Sequence, residues 1–173
     1  MTDLKISTLT PEHARLLQSI WSSSFEAAYK DVHTEDNIAA YCDVNFTPEA
    51  ALKTLQDPLK LCKLAGSEHA PLGYYVFHDH PCPLLSNVRA CELKQIYLLP
   101  DAYGMGVGKT LFEDAVQEAR ALGAKTMWLS VSDKNFRAQR FYQKLGFYSV
   151  GRGPDFHVGS DLLTSQILTL QID

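Results

Sequence analysis

A glycine-rich run is the part of the sequence whose residue types and spacing most directly suggest chemistry. Three glycines fall within five positions, in the order Tyr103, Gly104, Met105, Gly106, Val107, Gly108 and Lys109. Glycine has no Cβ atom, so backbone N–H groups can approach a ligand closely. The residues that follow have helical spacing, and a helix N-terminus adds free N–H groups and the positive end of its dipole. The run therefore predicts a phosphate-binding turn.

Two familiar phosphate-binding patterns do not fit this run. Gly108, Lys109 and Thr110 match the end of GxxxxGK[ST], but that pattern needs glycine at position 103, which is Tyr103, and no second strand ending in aspartate follows. The pattern GxGxxG fails because position 109 is lysine, and the run lies two-thirds of the way along the chain. Glycines that serve only a tight strand-to-helix turn remain an alternative.

The spacing of apolar residues predicts the elements that must position the run. Residues 89–99 and 126–131 are predicted as strands. Residues 104–122 are predicted as a helix because one apolar stripe runs through them and Gly123 closes it. A second helix is predicted at residues 135–145. The glycine run therefore lies at a strand-to-helix junction.

The rest of the chain supplies further strands and helices. Thr10 and Pro11 start a helix that continues to about Tyr29. The remaining predicted elements are strands at residues 3–9, 59–66, 71–79, 147–151 and 162–172 and helices at residues 34–42 and 48–57. This order predicts an α/β (α+β) fold with a mixed central sheet of six or seven strands and about four flanking helices. With no repeat or linker, residues 1–173 are predicted as one domain.

A second motif follows the glycine run. Every fixed position of N-x-x-A-x-x-F-Y-x-x-x-G-F is present, as Asn135, Ala138, Phe141, Tyr142, Gly146 and Phe147. Gly106 and Gly108 fill the last two fixed positions of the loop motif Q/R-x-x-G-x-G/A. The two motifs in this order resemble the GNAT family of acetyl-CoA-dependent N-acetyltransferases. Within that family, the segments after Asp31 and around residues 155–157 look most like the PaiA-type polyamine N-acetyltransferases.

The resemblance implies a role for each part of the donor site. The N–H groups of residues 104–109 would hold the pyrophosphate of acetyl-CoA, the cosubstrate. Ile96, Tyr97 and Leu98, at the end of a splayed strand, would pair with the pantetheine arm, and the Leu98 N–H would bond the thioester carbonyl as an oxyanion donor. Simple core packing by Ile96 and Leu98 is compatible with this role, because the contact is made by backbone.

The second motif supplies further candidates. Asn135 is a good helix N-cap and, by resemblance, also faces the pantetheine. Tyr142 would protonate the departing thiolate or hydrogen-bond to it, although a buried core tyrosine is the alternative. Lys144 is a further cofactor-binding candidate in the same motif. The run departs from the family at Tyr103, where Gln or Arg is usual, and at Met105, where Lys or Arg is common. The backbone and Lys109 would have to compensate.

The acceptor amine must be neutral to attack, and an alkylammonium has a pKa near 10.4, so a base is useful. Glu92 is the candidate because it lies eleven residues before Tyr103, the spacing that the resemblance implies. In an unbroken strand Glu92, Lys94, Ile96 and Leu98 share one face, with Glu92 about 20 Å from the thioester site. A bulged strand and a relay water would have to close that gap. A strand glutamate paired with Lys94 is the alternative.

Composition argues against several classes of protein. A net charge of −4 gives no support to nucleic-acid binding, and no apolar run approaches the ~20 residues of a membrane span. The N-terminus has no apolar segment of a secretory signal. The cysteines form no CxxC pair and are expected as reduced thiols in the cytoplasm. His78 and His80 lack a third ligand, so no metal site is expected.

These observations predict transfer of acetyl to a primary amine. A small polyamine is the leading acceptor, attacked directly in a ternary complex because no cysteine lies at an activated position. Glu26, Asp31, Glu35 and Asp36 could recruit a cationic amine or form a solvated acidic loop. Acetylation of a protein N-terminus or lysine is one alternative, and a non-catalytic CoA-binding sensor is another. A homodimer is a family expectation.

Overall fold

A seven-stranded sheet forms the centre of the computed structural model, which describes residues 4–172. The strands are β1 (Ile6–Thr8), β2 (Lys60–Ser67), β3 (Ala70–His78), β4 (Ala90–Leu98), β5 (Thr126–Ser132), β6 (Tyr148–Arg152), β7 (Phe156–Val158), β8 (Asp161–Leu163) and β9 (Ser165–Gln171). The sheet order is β1-β2-β3-β4-β5-β9-β6, and β7 pairs with β8 in a separate hairpin. Only the β4–β5 pair of the described sheet is parallel.

Five α-helices flank the sheet within the described part of the chain. They are α1 (Ala14–Tyr29), α2 (Glu35–Asn45), α3 (Pro48–Gln56), α4 (Val107–Ala121) and α5 (Phe136–Lys144). Side-chain caps fix several of their starts. The Thr34 hydroxyl accepts the Asn37 N–H at 3.3 Å, and the Thr47 hydroxyl accepts the Ala50 N–H at 3.1 Å. No described helix has both the length and the apolar character that a bilayer crossing requires.

Apolar side chains cover both faces of the sheet because strands β2, β3 and β4 carry them on both sides. One face packs on α4 and α5, with Tyr75, Phe77 and Leu93 in its core. The opposite face packs on α1, α2 and α3, with Tyr74 and Val76 in its core. This three-layer arrangement, with its helices and mixed sheet, confirms the predicted fold class.

Strands β4 and β5 pair over only part of their length. Their parallel register joins Ala90 to Thr126 and continues only as far as Glu92 and Trp128. Beyond that point β4 stays paired with β3, and β5 stays paired with β9. The two strands therefore diverge, and a V-shaped opening separates residues 93–98 from residues 129–132. Backbone groups that face such an opening need partners other than the sheet.

A β-bulge at Lys94 changes which side chains share a face of β4. Val76 lies opposite Gln95, whereas the next residue, Phe77, lies opposite Leu93, so Lys94 is the extra residue. The bulge shifts the alternation by one position. Glu92 consequently shares a face with Gln95 and Tyr97, and the prediction that Glu92 shares a face with Ile96 and Leu98 is wrong.

Several boundaries differ from prediction. Helix α4 starts at Val107 rather than at residue 104, because Gly104 and Gly106 have φ of 79° and 80° and cannot be helical. The strand predicted at residues 162–172 is split at Thr164 into β8 and β9, and the β7–β8 hairpin was not predicted. The first residue of the strand predicted at 3–9 lies outside the described residues.

We expect the protein to lose stability steeply in alkaline solution. Burial raises the pKa of Tyr29, Tyr74, Tyr75 and Tyr142 above the ordinary value near 10. Unfolded phenols ionise near pH 10 while these folded ones stay neutral, so the stabilisation is complete below pH 10 and falls as pH rises toward the folded values. Each such tyrosine contributes a slope of about 1.4 kcal/mol per pH unit in that window.

Denaturant melts between about pH 8 and about pH 11 measure this slope. Tyr142→Phe should reduce the slope by the contribution of one buried tyrosine. Tyr148→Phe, at a residue that is 55% exposed, should leave the slope unchanged. A free energy of unfolding that stays constant over the window would contradict the prediction.

Candidate active site

The glycine run forms a tight turn that ends at the N-terminus of α4. Gly104 and Gly106 adopt left-handed conformations, and a Cβ atom on either would meet no atom within 4 Å. The glycines are therefore required by the backbone conformation, and the space beside them is open. No acceptor is found within residues 4–172 for the N–H groups of Val107, Gly108 and Lys109. The Met105 N–H is directed to the Ala102 carbonyl at 3.3 Å.

A cation beside this turn was not predicted. The Arg137 guanidinium, on the first turn of α5, lies 3.4 Å from the centroid of the Tyr103 ring. A guanidinium stacked on an aromatic face is held in place by the ring's negative face. Tyr103 thus positions an arginine next to the turn. Sequence reasoning missed this pair because Arg137 occupies a variable position of the second motif.

The predicted donor strand presents backbone to the V-shaped opening. The Leu99 N–H donates to Leu72 O at 2.9 Å, toward β3. N–H groups alternate in direction along a strand, so the Leu98 N–H points away from β3 and into the opening. The Leu98 side chain packs toward α4, where a Cβ on Gly108 would lie 3.4 Å from Leu98 Cδ1. The geometry fits an oxyanion donor, and that role stays a prediction.

Tyr142 lies on the buried face of α5. Its ring contacts the Phe147 ring at 5.5 Å, and the residue is 7% exposed. No hydrogen bond to its hydroxyl is found in the described part of the chain. Burial, with a smaller contribution from nearby Tyr29, raises its pKa. The phenol is therefore protonated at neutral pH and has a proton available to donate.

A polar cluster at the end of α1 was also missed. Burial raises the pKa of Tyr29, and the neighbouring polar side chains of Asn135, Tyr97 and Ser132 partly offset that rise. Asn135 also caps α5, as predicted, since its side-chain oxygen accepts the Ala138 N–H at 3.1 Å. Tyr29 therefore joins α1 to both edges of the opening, from β4 and from the end of β5. In the sequence, Tyr29 has the helical spacing of an ordinary core tyrosine, so its polar contacts could not be predicted.

Glu92 is buried and paired. Its Oε2 lies 3.0 Å from His78 Nδ1, and its Oε1 lies 3.8 Å from Lys94 Nζ. The His78 ring is stacked on His80, with centroids 4.8 Å apart. Because of the bulge, this group lies on the face of β4 that also carries Gln95 and Tyr97. Glu92 is thus linked to the opening along the strand, without a direct contact to Tyr142.

The remaining predicted residues lie at the surface. Lys109 forms an exposed pair with Glu113, at 3.6 Å between Nζ and Oε1. Lys144 is exposed at the end of α5 opposite Asn135. Met105 is 65% exposed beside the turn. The side chains of Glu26, Asp31, Glu35 and Asp36 are all exposed. Among the described residues no cluster of three or more His, Cys, Asp or Glu side chains could hold a metal ion.

Comparison with known proteins identifies the family. The chain matches the acetyltransferase (GNAT) family over residues 15–147. An uncharacterized N-acetyltransferase of Mycobacterium tuberculosis is 30% identical over 131 residues, which are 76% of this chain and 80% of that protein. The chain therefore belongs to the GNAT family of acetyltransferases, and the predicted family is confirmed.

Solved structures share the fold. The PaiA N-acetyltransferase from Thermoplasma acidophilum, in complex with coenzyme A, has a TM-score of 0.77 at 20% identity, over 98% of this chain and 99% of that one. An N-acetyltransferase from Staphylococcus aureus has a TM-score of 0.72 at 19% identity, over 99% of this chain and all of that one. These likenesses extend over nearly the whole described chain.

Proposed function

We propose that this protein transfers the acetyl group of acetyl-CoA to a primary amine. The observation that carries the proposal is the V-shaped opening between β4 and β5, which ends beside the glycine turn of α4. Backbone donors line one side of the opening, and the α4 N-terminus offers free N–H groups at its end. An extended chain with a pyrophosphate at one end and a thioester at the other fits this arrangement. Likeness to a structure in complex with coenzyme A supports it.

Donor binding would rest on backbone and on two cations. The N–H groups of Gly104, Gly106, Val107, Gly108 and Lys109 would hold the pyrophosphate, with Ile96 to Leu98 along the pantetheine. Arg137 would supply the charge that Tyr103 does not, and the exposed Lys109 would add to it. Asn135 would face the pantetheine from the end of β5. Lys144, at the other end of α5, is the weakest of the proposed contacts.

In the reaction, the Leu98 N–H would stabilise the charge that develops on the thioester oxygen. Tyr142 would hydrogen-bond to the departing thiolate and give it a proton. Reference pKa values near 10 and 8.5 make that transfer uphill by about 2 kcal/mol, and the burial that raises the Tyr142 pKa adds to it. Hydrogen bonding to the thiolate as it forms is therefore the main contribution expected of Tyr142.

The cysteines support direct attack by the amine. Burial raises the pKa of Cys91 to about 11 and that of Cys62 to about 12, and it also raises the pKa of the half-buried Cys42. These thiols are poor nucleophiles at neutral pH. Cys82 is buried. Transfer would therefore take place in a ternary complex without an acyl-cysteine. The unpaired thiols also support a cytoplasmic location, and we retain a homodimer as a family expectation.

The acceptor that we propose is a small polyamine. Support comes from the fold shared with a PaiA N-acetyltransferase and from exposed carboxylates at the α1–α2 connection, among them Asp31, Glu35 and Asp36. Glu92, paired with His78, would take the proton of the reacting ammonium. Glu92 lies on the same face of β4 as Tyr97, which is the side of the sheet where α1 packs.

Thiol release from acetyl-CoA in a panel of amines tests the function. The panel should contain polyamines, monoamines and peptides with a free N-terminus or a lysine. Turnover with polyamines would support the proposal, and turnover only with peptides would support protein acetylation. Binding of CoA without turnover of any amine would overturn the enzyme assignment in favour of a sensor.

For Tyr142 we expect that Tyr142→Phe lowers kcat about 100-fold while the Kd for CoA changes little. The reason is that the hydroxyl has no protein partner to lose, so folding and donor binding should be preserved. Tyr148→Phe, on the exposed β6, is the control for steady-state kinetics. A variant with normal kcat would remove Tyr142 from the chemistry.

For Glu92 we expect that Glu92→Gln moves the pH–rate profile of kcat/KM to higher pH. Without the carboxylate, only amine that is already deprotonated in solution can react. Because little of it is present at neutral pH, kcat/KM there should fall about 100-fold. Glu49→Gln, an exposed glutamate on α3 on the far side of the sheet from α4, is the control. An unshifted profile would return Glu92 to a structural role.

For the turn we expect that Arg137→Gln raises the Kd for CoA about fivefold, as loss of about 1 kcal/mol implies. The effect should shrink at high salt because part of it is a charge interaction near the surface. Calorimetric titration measures it, with Arg140→Gln on the same helix as the control for net charge. Equal changes in both variants would show that only the overall charge of α5 matters.

A further inference from the structure

The exposed face of α5 carries a row of positive charge, of which the function proposed above needs only one end. Arg137, Arg140 and Lys144 are all exposed. Their spacing of three and four residues places them on the same side of the helix, and we call them the α5 cation row. Helix α5 contains no acidic residue, whereas the protein as a whole has a net charge of −4. The row therefore reverses the charge of the molecule locally.

The cations of this row have no carboxylate partner within residues 4–172. Other cations of the same part of the chain do form ion pairs, namely Lys60, Lys63, Arg89, Lys94, Lys109 and Arg152. Like charges three and four residues apart repel each other on a helix. Arg137 also lies in the first turn of α5, where the helix dipole disfavours a cation. The row therefore weakens its own helix, and such departures from a stabilising charge pattern are expected at functional surfaces.

The α5 cation row borders the glycine turn. The Arg137 guanidinium lies 3.4 Å from the centroid of the Tyr103 ring, at the start of the turn. Phe141, one helical turn after Arg137, has its ring carbon Cε2 3.5 Å from the place that a Cβ on Gly108 would take. Gly108 is in the first turn of α4, so α5 packs against the end of α4 where the pyrophosphate is proposed to bind. The rest of the row extends the positive charge outward from that end.

The carboxylates near the turn leave its surroundings positive. Glu113 is paired with Lys109 at 3.6 Å between Oε1 and Nζ, so these two charges largely cancel. Asp101 is exposed two residues before Tyr103 and opposes the approach of an anion. The three cations of the row outweigh this one carboxylate.

A positive surface beside a binding turn acts on an anion before the two make contact. Acetyl-CoA carries a pyrophosphate and a 3′-phosphate, so it is a polyanion. Attraction between exposed charges extends over about 8 Å at physiological salt and is screened beyond that distance. Such charges at the rim of a site raise the association rate constant and its dependence on salt. They affect the dissociation rate constant little unless they contact the bound ligand.

We propose that the outer part of the α5 cation row, Arg140 and Lys144, captures the phosphates of the acetyl donor and steers them to the glycine turn. Arg137, stacked on Tyr103, holds the donor once it has arrived. Arg140 and Lys144 act on the rate of association and do not contact the donor in its final position. This role suits Lys144, the weakest of the contacts proposed above. The inference rests on the proposed binding of acetyl-CoA at the turn.

Rapid-mixing fluorescence with etheno-CoA, a fluorescent CoA that keeps all its phosphates, measures both rate constants. Arg140→Glu together with Lys144→Glu should lower the association rate constant about tenfold at about 20 mM salt and only about twofold at about 0.5 M salt. The dissociation rate constant should stay the same. The matched control is Lys5→Glu together with Lys53→Glu, an equal change in net charge at exposed lysines beside β1 and on α3. It should change the association rate constant by less than about twofold.

Single variants and a second ligand separate capture from contact. Arg140→Gln alone should lower the association rate constant about twofold at low salt. Arg137→Gln should act mainly by raising the dissociation rate constant, because it removes a contact. Etheno-dephospho-CoA lacks the 3′-phosphate and its charge of about −2. Its association should therefore respond to the α5 double variant only about threefold.

The outcomes separate this inference from the proposed function. Equal association rate constants for the α5 double variant and its control would overturn capture by the row while leaving acetyl transfer intact. A double variant that changes only the dissociation rate constant would do the same, because its residues would then contact the bound donor. Wild-type protein that does not bind etheno-CoA at all would overturn the proposed function and, with it, this inference.

Discussion

The incomplete pairing of β4 with β5 is the constraint on which the rest of the structure depends. The two strands are joined over three residue pairs and then separate, because β3 and β9 hold them on different courses. A sheet normally satisfies its own backbone, and here it leaves a row of donors and acceptors facing an opening. The helices and turns around the opening determine what can enter it. Helix α4 packs on one face of these strands and α1 on the other.

Much of the donor side could be predicted, because its information is local. The spacing of glycines, the apolar stripe of α4 and the second motif all fall within one continuous stretch, residues 90–147. The ends of the helices were harder to predict, since the left-handed conformations of Gly104 and Gly106 move the start of α4 to Val107.

The bulge at Lys94 could not be predicted from the alternation of apolar and polar residues along β4. It depends on how β3 and β4 pair, and one inserted residue exchanges the faces of a strand.

The other contacts around the opening resisted prediction because they join distant parts of the chain. Arg137 stacks on Tyr103 from another element, and Tyr29 meets Asn135 across more than a hundred residues. The β7–β8 hairpin has strands of only three residues each, too short for an alternating pattern to be recognised in the sequence. Such contacts follow from the assembled fold, and no pattern within a single segment predicts them.

The β7–β8 hairpin affects the order in which parts of the protein fold. The elements of the donor side follow one another along the chain, whereas Asn37 and Ser160 are separated by 123 residues. Contacts of large sequence separation form late, since the chain between their ends must first be ordered. The stretch of residues 90–147 can therefore be ordered in states in which the β7–β8 hairpin has not yet docked on α2, and the burial of Val158 and Leu163 is gained only in that last step.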